Sequence, residues 1–173
     1  MHYSNHEDYG EDYAATFVLT KQKNNDVELF TTLTAYMKSN HPSLVFVILG
    51  GAKSFNKIKR PDEVERYRGQ LKEMDNTVFK IWQAIQADDV YKDKTSLFFL
   101  NDHGDLIDHE DCDDECKRYL VIVAVGPDFK KNHLSTDKYR QVNIVPTVGK
   151  LLNFPTPLVA KDAVVMTDLL ITK

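Results

Sequence analysis

Three short apolar runs, each cut off sharply by glycine or asparagine, limit what this chain can fold into more than any other feature. They are "LVFVILGG" at residues 44–51, "TSLFFLN" at 95–101 and "YLVIVAVG" at 119–126. Runs this short, rich in Val, Ile, Leu and Phe and with no polar residue alternating in, match strands buried on both faces, the pattern of parallel sheets. Helical spacing fills the intervals. "DVELFTTLTAYMKSN" places Val27, Leu29, Phe30, Leu33, Tyr36 and Met37 at helical spacing, with Asp26 as a candidate N-cap. From Arg60, with Pro61 in the first turn, Val64, Tyr67, Leu71, Met74, Val78, Ile81, Trp82 and Ile85 mark one face of a long amphipathic helix. "NIVPTVGKLLNFPTP" reads as a short helix with Pro146 near its start. "ATFVLT", residues 15–20, reads as a further short strand, after an irregular polar arm over residues 1–13. Strands alternating with helices predict an α/β class with a mostly parallel sheet flanked by helices.

The 173 residues suffice for one domain with a core, and no repeat, linker or low-complexity tract divides them. A net charge of −4 argues against a nucleic-acid partner, which calls for a basic face. No apolar run reaches membrane-spanning length, and "MHYSNHEDYGEDY" lacks the basic and apolar regions of a secretion signal. The expected location is cytoplasmic if the chain is whole, and extracytoplasmic is open if it is a piece of a longer protein.

The acidic charge is concentrated in "NDHGDLIDHEDCDDEC", residues 101–116, which begins where the second apolar run stops. Ligands of open α/β sheets gather at the carboxyl ends of strands. Asp102 and His103 fall there, followed by Gly104, which permits a sharp turn; His109 lies a few residues on. Carboxylate and imidazole are good ligands for Zn²⁺, and also for Mn²⁺ or Fe. The plainer reading makes Asp102 a helix or turn cap and His103 a hydrogen-bonded loop residue. Cys112 and Cys116, spaced C-x3-C, fit a local disulfide, a metal site or two thiols.

The order of these motifs resembles the C-terminal part of the alkaline phosphatase superfamily, in its sulfatase and phosphodiesterase-like branches. The residues that carry the resemblance are Asp102-His103-Gly104 after a strand, Gly126-Pro127 at the end of the next, and Asn143-Ile144-Val145-Pro146-Thr147 with Leu151-Leu152. Asp75, in the long helix, matches a family Asp. The likeness covers residues 44–173. It implies a metal-dependent hydrolase of phosphate or sulfate esters, with Asp102 and His103 on the metal beside the nucleophile and His109 on a second one; Zn is the first expectation, with Mn or Ca as alternatives.

Two departures shape that expectation. The family's D-x3-H metal pair falls near Lys53 and Lys57, and no Asp or His occurs from Pro42 to Pro61. Two ammonium groups repel a divalent cation. The family's nucleophile region has no counterpart in this sequence, so no catalytic nucleophile is assigned. The expectation is a fragment or degenerate copy with little activity of its own, its partner a small phosphate or sulfate ester if active. The alternative is a non-catalytic α/β interaction protein, with Lys53, Lys57, Lys59 and Arg60 forming a basic edge. An unpaired sheet edge also predicts self-association.

Overall fold

The computed structural model describes residues 26–50, 61–101, 120–156 and 160–171. Its elements run α1 (Asp26–Asn40), α2 (Pro61–Gln86), β1 (Leu97–Leu100), β2 (Ile122–Val125) and α3 (Ile144–Leu152), with 3-10 turns at Gln141–Asn143 and Thr167–Leu169. Helix and sheet are both present, in keeping with a mixed α and β class.

Helices α1 and α2 pack together around Leu33, Ile81, Ile85 and Tyr91, with Phe30, Met37, Val47 and Trp82 against them. Leu33, Ile81 and Ile85 come from the apolar stripes of the two helices, the reason both fold as amphipathic helices. Pro61 opens α2, where its missing N–H costs nothing. Helix α1 stops where His41 turns to a φ of 48°, its N–H bonded to Met37 O at 2.9 Å. Tyr91 then ties the far end together: its hydroxyl lies 3.3 Å from Met37 O and 3.4 Å from Pro42 O. Burial, with Asp88 and then Tyr36 nearby, pushes the Tyr91 phenol above its ordinary pKa. Asp26 does not sit ahead of the helix as a cap. It is the first helical residue, and its Oδ1 accepts from Gly50 N at 3.2 Å.

Residues 44–49 depart from the expected buried strand. They pair with no strand among the described residues, and Leu44, Phe46 and Ile48 are 58%, 84% and 70% exposed. Val47, between them, packs on the helical core. Val45, on the same side as Val47, is itself 39% exposed, so one side of the run is bare and the other only partly covered. An apolar run reads as buried on both sides only when a second layer covers it, and among the described residues no such layer does.

Strands β1 and β2 form a two-stranded sheet, with Leu97 opposite Val125, Phe98 opposite Ala124, Phe99 opposite Val123 and Leu100 opposite Ile122. The pairing is antiparallel, whereas the sequence predicts a mostly parallel sheet. Uniform apolarity carries no information on strand direction, because the same apolar residues suit a parallel or an antiparallel neighbour. Phe98 meets Phe129 edge-on, ring centroids 4.8 Å apart. On the other face Phe99, Val123 and Val125 are exposed.

Candidate metal-binding segment and its supports

The chain leaves β1 at Leu100 and enters β2 at Ile122, so residues 101–121 connect adjacent strand ends. Asn101 closes the base of this connection, its Oδ1 accepting from Val121 N at 2.8 Å. Asp102, His103 and His109, the predicted ligands, and Cys112 and Cys116 lie outside the described residues, as do Lys53 and Lys57. The described geometry therefore fixes where Asp102 departs, the carboxyl end of β1, and not how the three side chains are arranged. Among the described residues no group of three His, Cys, Asp or Glu side chains is placed to hold a metal. Asp75 lies exposed on α2. The cleft between α1 and α2, lined by Thr34, Met37, Lys38, Ala84, Asp88 and Tyr91, holds about 30 Å³, enough for one water and for no substrate.

The other motif segments act as braces. Gly126 has a φ of 138°, and a Cβ there would lie 2.6 Å from the Ser96 Cα, so only glycine fits. This close approach sets the Ser96 hydroxyl 2.8 Å from Asp128 Oδ2, locking the start of β1 to the turn that follows β2. Beyond the turn, Phe129 bridges to Leu170. Lys130 N donates to Leu169 O at 2.9 Å and Ile171 N to Asp128 O at 2.8 Å.

In the Asn143–Thr147 motif both polar side chains are buried and hydrogen-bonded. Asn143 Oδ1 accepts from Arg140 N at 2.6 Å, and its Nδ2 donates to Val164 O at 2.9 Å. The Thr147 hydroxyl donates to Asn143 O at 2.7 Å and accepts from Met166 N at 3.0 Å. Thr147 and Met166 have no exposed surface. Pro146 fits the first turn of α3, and Asn153, at a φ of 58°, ends the helix in the left-handed region. The motif's work in this fold is to hold residues 160–170 against α3.

A titratable cluster that no sequence motif announces lies beside this brace. The Tyr139 hydroxyl hydrogen-bonds Asp168, with Asp137 Oδ2 3.1 Å away, and His133 Nε2 is 3.4 Å from Asp168 Oδ2. Burial, then the Asp168 and Asp137 carboxylates, push the Tyr139 phenol well above its ordinary range. Burial alone would raise Asp168. Hydrogen bonds from Ser135, Tyr139 and His133, with the His133 charge, outweigh it and hold the carboxyl below its ordinary value. These groups join segments some thirty positions apart, a separation that neither periodicity nor local spacing can signal.

A scan against protein-family models and searches of curated proteins and of solved structures return no match to this chain. Among the described residues no helix is long and apolar enough to cross a membrane.

Proposed function

We propose that this chain is a sulfatase- or alkaline-phosphatase-like segment of a metal-dependent phosphate or sulfate ester hydrolase, a fragment or degenerate copy with little turnover alone. The observation that carries the reading is the placement of Asp102-His103-Gly104 directly after the carboxyl end of β1, beyond an Asn101 that ties the strand ends together. Open, mostly parallel α/β sheets hold ligands at the carboxyl ends of their strands, so the reading goes together with the larger sheet proposed below, since β1 and β2 by themselves pair antiparallel. One carboxylate and two imidazoles form a donor set that fits zinc, with Mn²⁺ or Ca²⁺ less well matched to the nitrogens. Asp102 and His103, joined by His109, would hold one such ion. Bound there, it would supply Lewis acidity toward an ester oxygen. The chain's own residues contribute the strand end, the glycine that follows the two ligands and the acidic surroundings that favour a cation. A larger, mostly parallel sheet, to which β1, β2 and residues 44–49 contribute, belongs to the same proposal; the bare apolar faces of the latter two support it.

The experiment measures zinc by elemental analysis after purification without chelator, and Zn²⁺ affinity by titration of wild type and Asp102→Ala. We expect one zinc per chain and a loss of at least about tenfold in affinity in the variant, equivalent to about 1.4 kcal/mol. Aryl phosphate and aryl sulfate turnover with Zn²⁺, Mn²⁺ or Ca²⁺ stays at background. Robust turnover abolished by Asp102→Ala would show the chain to be a complete enzyme.

The exposed apolar residues favour one second reading, a non-catalytic α/β interaction protein that kept the scaffold and lost the chemistry. A metal-free protein whose melting temperature ignores Zn²⁺ and Mn²⁺ selects it.

A further inference from the structure

We infer that the described residues form two units that open independently, Asp26 to Thr95 and Ser96 to Ile171, with a joint at the Thr95–Ser96 peptide. The first unit is built on Leu33, Ile81, Ile85 and Tyr91, with Phe30, Met37, Val47 and Trp82 packed against them. All of these lie at or before Tyr91. The second is built on Phe129, Asn143, Thr147, Met166 and Leu170, all buried and all beyond residue 128. Each set of buried residues therefore comes from one continuous length of chain, the arrangement that lets part of a protein keep a stability of its own.

The ties divide in the same way. In the first unit Asp26 Oδ1 accepts from Gly50 N, the Tyr91 hydroxyl reaches Met37 O and Pro42 O, and the His41 and Tyr91 rings lie 6.0 Å apart. In the second, Phe98 meets Phe129, Phe129 bridges to Leu170, Thr147 holds Met166, and Tyr139 holds Asp168. The boundary is sharp. The Thr95 hydroxyl donates back to Tyr91 O at 3.0 Å, whereas the Ser96 hydroxyl is bonded forward to Asp128 Oδ2 at 2.8 Å. Neighbours in sequence, these two residues are fastened in opposite directions.

Opening is cooperative where buried side chains share neighbours, and separate where they do not. Each length, about 70–75 residues, exceeds the size at which single domains fold alone. The sequence does not announce the division, because an apolar residue records a preference for burial and not the partner that buries it. Strands β1 and β2, and with them the Asn101–Val121 tie, belong wholly to the second unit. Damage to the helical pair therefore leaves that tie in place, whereas loss of the α3 brace reaches it. The larger sheet proposed above needs a further strand to join residues 44–49 to β1 and β2.

Native-state hydrogen exchange of the full-length chain reads the two units separately. The reporters are the Ile81 and Ile85 amides of α2 for the first, and for the second the Lys130 and Ile171 amides, which donate to Leu169 O and Asp128 O. Thr147→Val should speed exchange of the second pair about thirtyfold and of the first by less than about threefold. Ile81→Ala should do the reverse, and where it unfolds the helical pair outright, Lys130 and Ile171 stay protected. In urea, the single tryptophan, Trp82, follows the helical unit, and its fluorescence midpoint should move with Ile81→Ala and not with Thr147→Val. Equal speeding of both pairs by either variant, or loss of all protection in Ile81→Ala, overturns the inference. So do Lys130 and Ile171 amides that ignore Thr147→Val, since the second set would then not open as a unit.

Discussion

Replacing Thr147 by Val isolates the brace between α3 and the C-terminal segment, because the two side chains have the same shape and differ by one hydroxyl. In the native fold that hydroxyl gives a hydrogen bond to Asn143 O at 2.7 Å and takes one from Met166 N at 3.0 Å, at a position with no solvent exposure. Valine leaves the Met166 N–H buried without an acceptor. The cost of an unsatisfied buried donor is about 1–3 kcal/mol, against about 1 kcal/mol for an ordinary net hydrogen bond. The gain from the extra methyl is under about 1 kcal/mol. The expected net loss is therefore about 2 kcal/mol. Thr147→Ser keeps both bonds and loses only a buried methyl, about 1 kcal/mol. Urea unfolding followed by circular dichroism resolves the pair, since a slope of about 2 kcal/mol/M turns these losses into midpoint shifts of about 1 M and 0.5 M. The order wild type, serine, valine is the prediction. A serine variant less stable than the valine variant would show that packing, not the hydroxyl, holds the segment.

Gly126→Ala should cost at least about 2 kcal/mol, because it combines a φ of 138° with a Cβ forced to within 2.6 Å of backbone; thermal melting reads it. Asp168 has a folded pKa below its unfolded value, so its contribution is fully present above the ordinary carboxylate pKa of 3.8 and is lost as pH falls through the folded value. Stability should drop below pH 3.8 in wild type, and Asp168→Asn should flatten that part of the profile in pH-dependent urea titrations. The Tyr139 phenol has the opposite sign. Raised in the fold, it contributes stability below pH 10 that fades as pH climbs above that value, and Tyr139→Phe should remove this alkaline loss.

Much of the helical framework was legible in the sequence, because amphipathic spacing survives without knowledge of partners. Helix α1 begins and ends with the quoted stretch, and α2 starts at the proline. The strands at Leu97–Leu100 and Ile122–Val125 fall inside the predicted runs at 95–101 and 119–126. Strand direction was not legible, since Phe98 and Val123 would look the same in either orientation. Nor could the sequence tell that Leu44, Phe46 and Ile48 have no cover among the described residues; hydrophobicity states that a residue prefers burial, not that burial is available. At the candidate site the sequence named Asp102, His103 and His109, and the fold adds the strand end from which they depart. It also shows that Asn143 and Thr147, read as family markers, serve as structural ties. The Tyr139–Asp168–His133 cluster left no trace in the sequence because its members meet only through tertiary folding.

The Asn101–Val121 hydrogen bond has a consequence for how this chain can change. It fastens a connection whose two ends are already adjacent through β1 and β2, and the entropy of closing such a loop rises only with the logarithm of its length. Doubling residues 101–121 would cost about 0.6 kcal/mol. In closure entropy alone, a change of length between Asn101 and Val121 is therefore cheap, and the β1–β2 pairing with its Asn101–Val121 tie holds both ends in place whatever that length is.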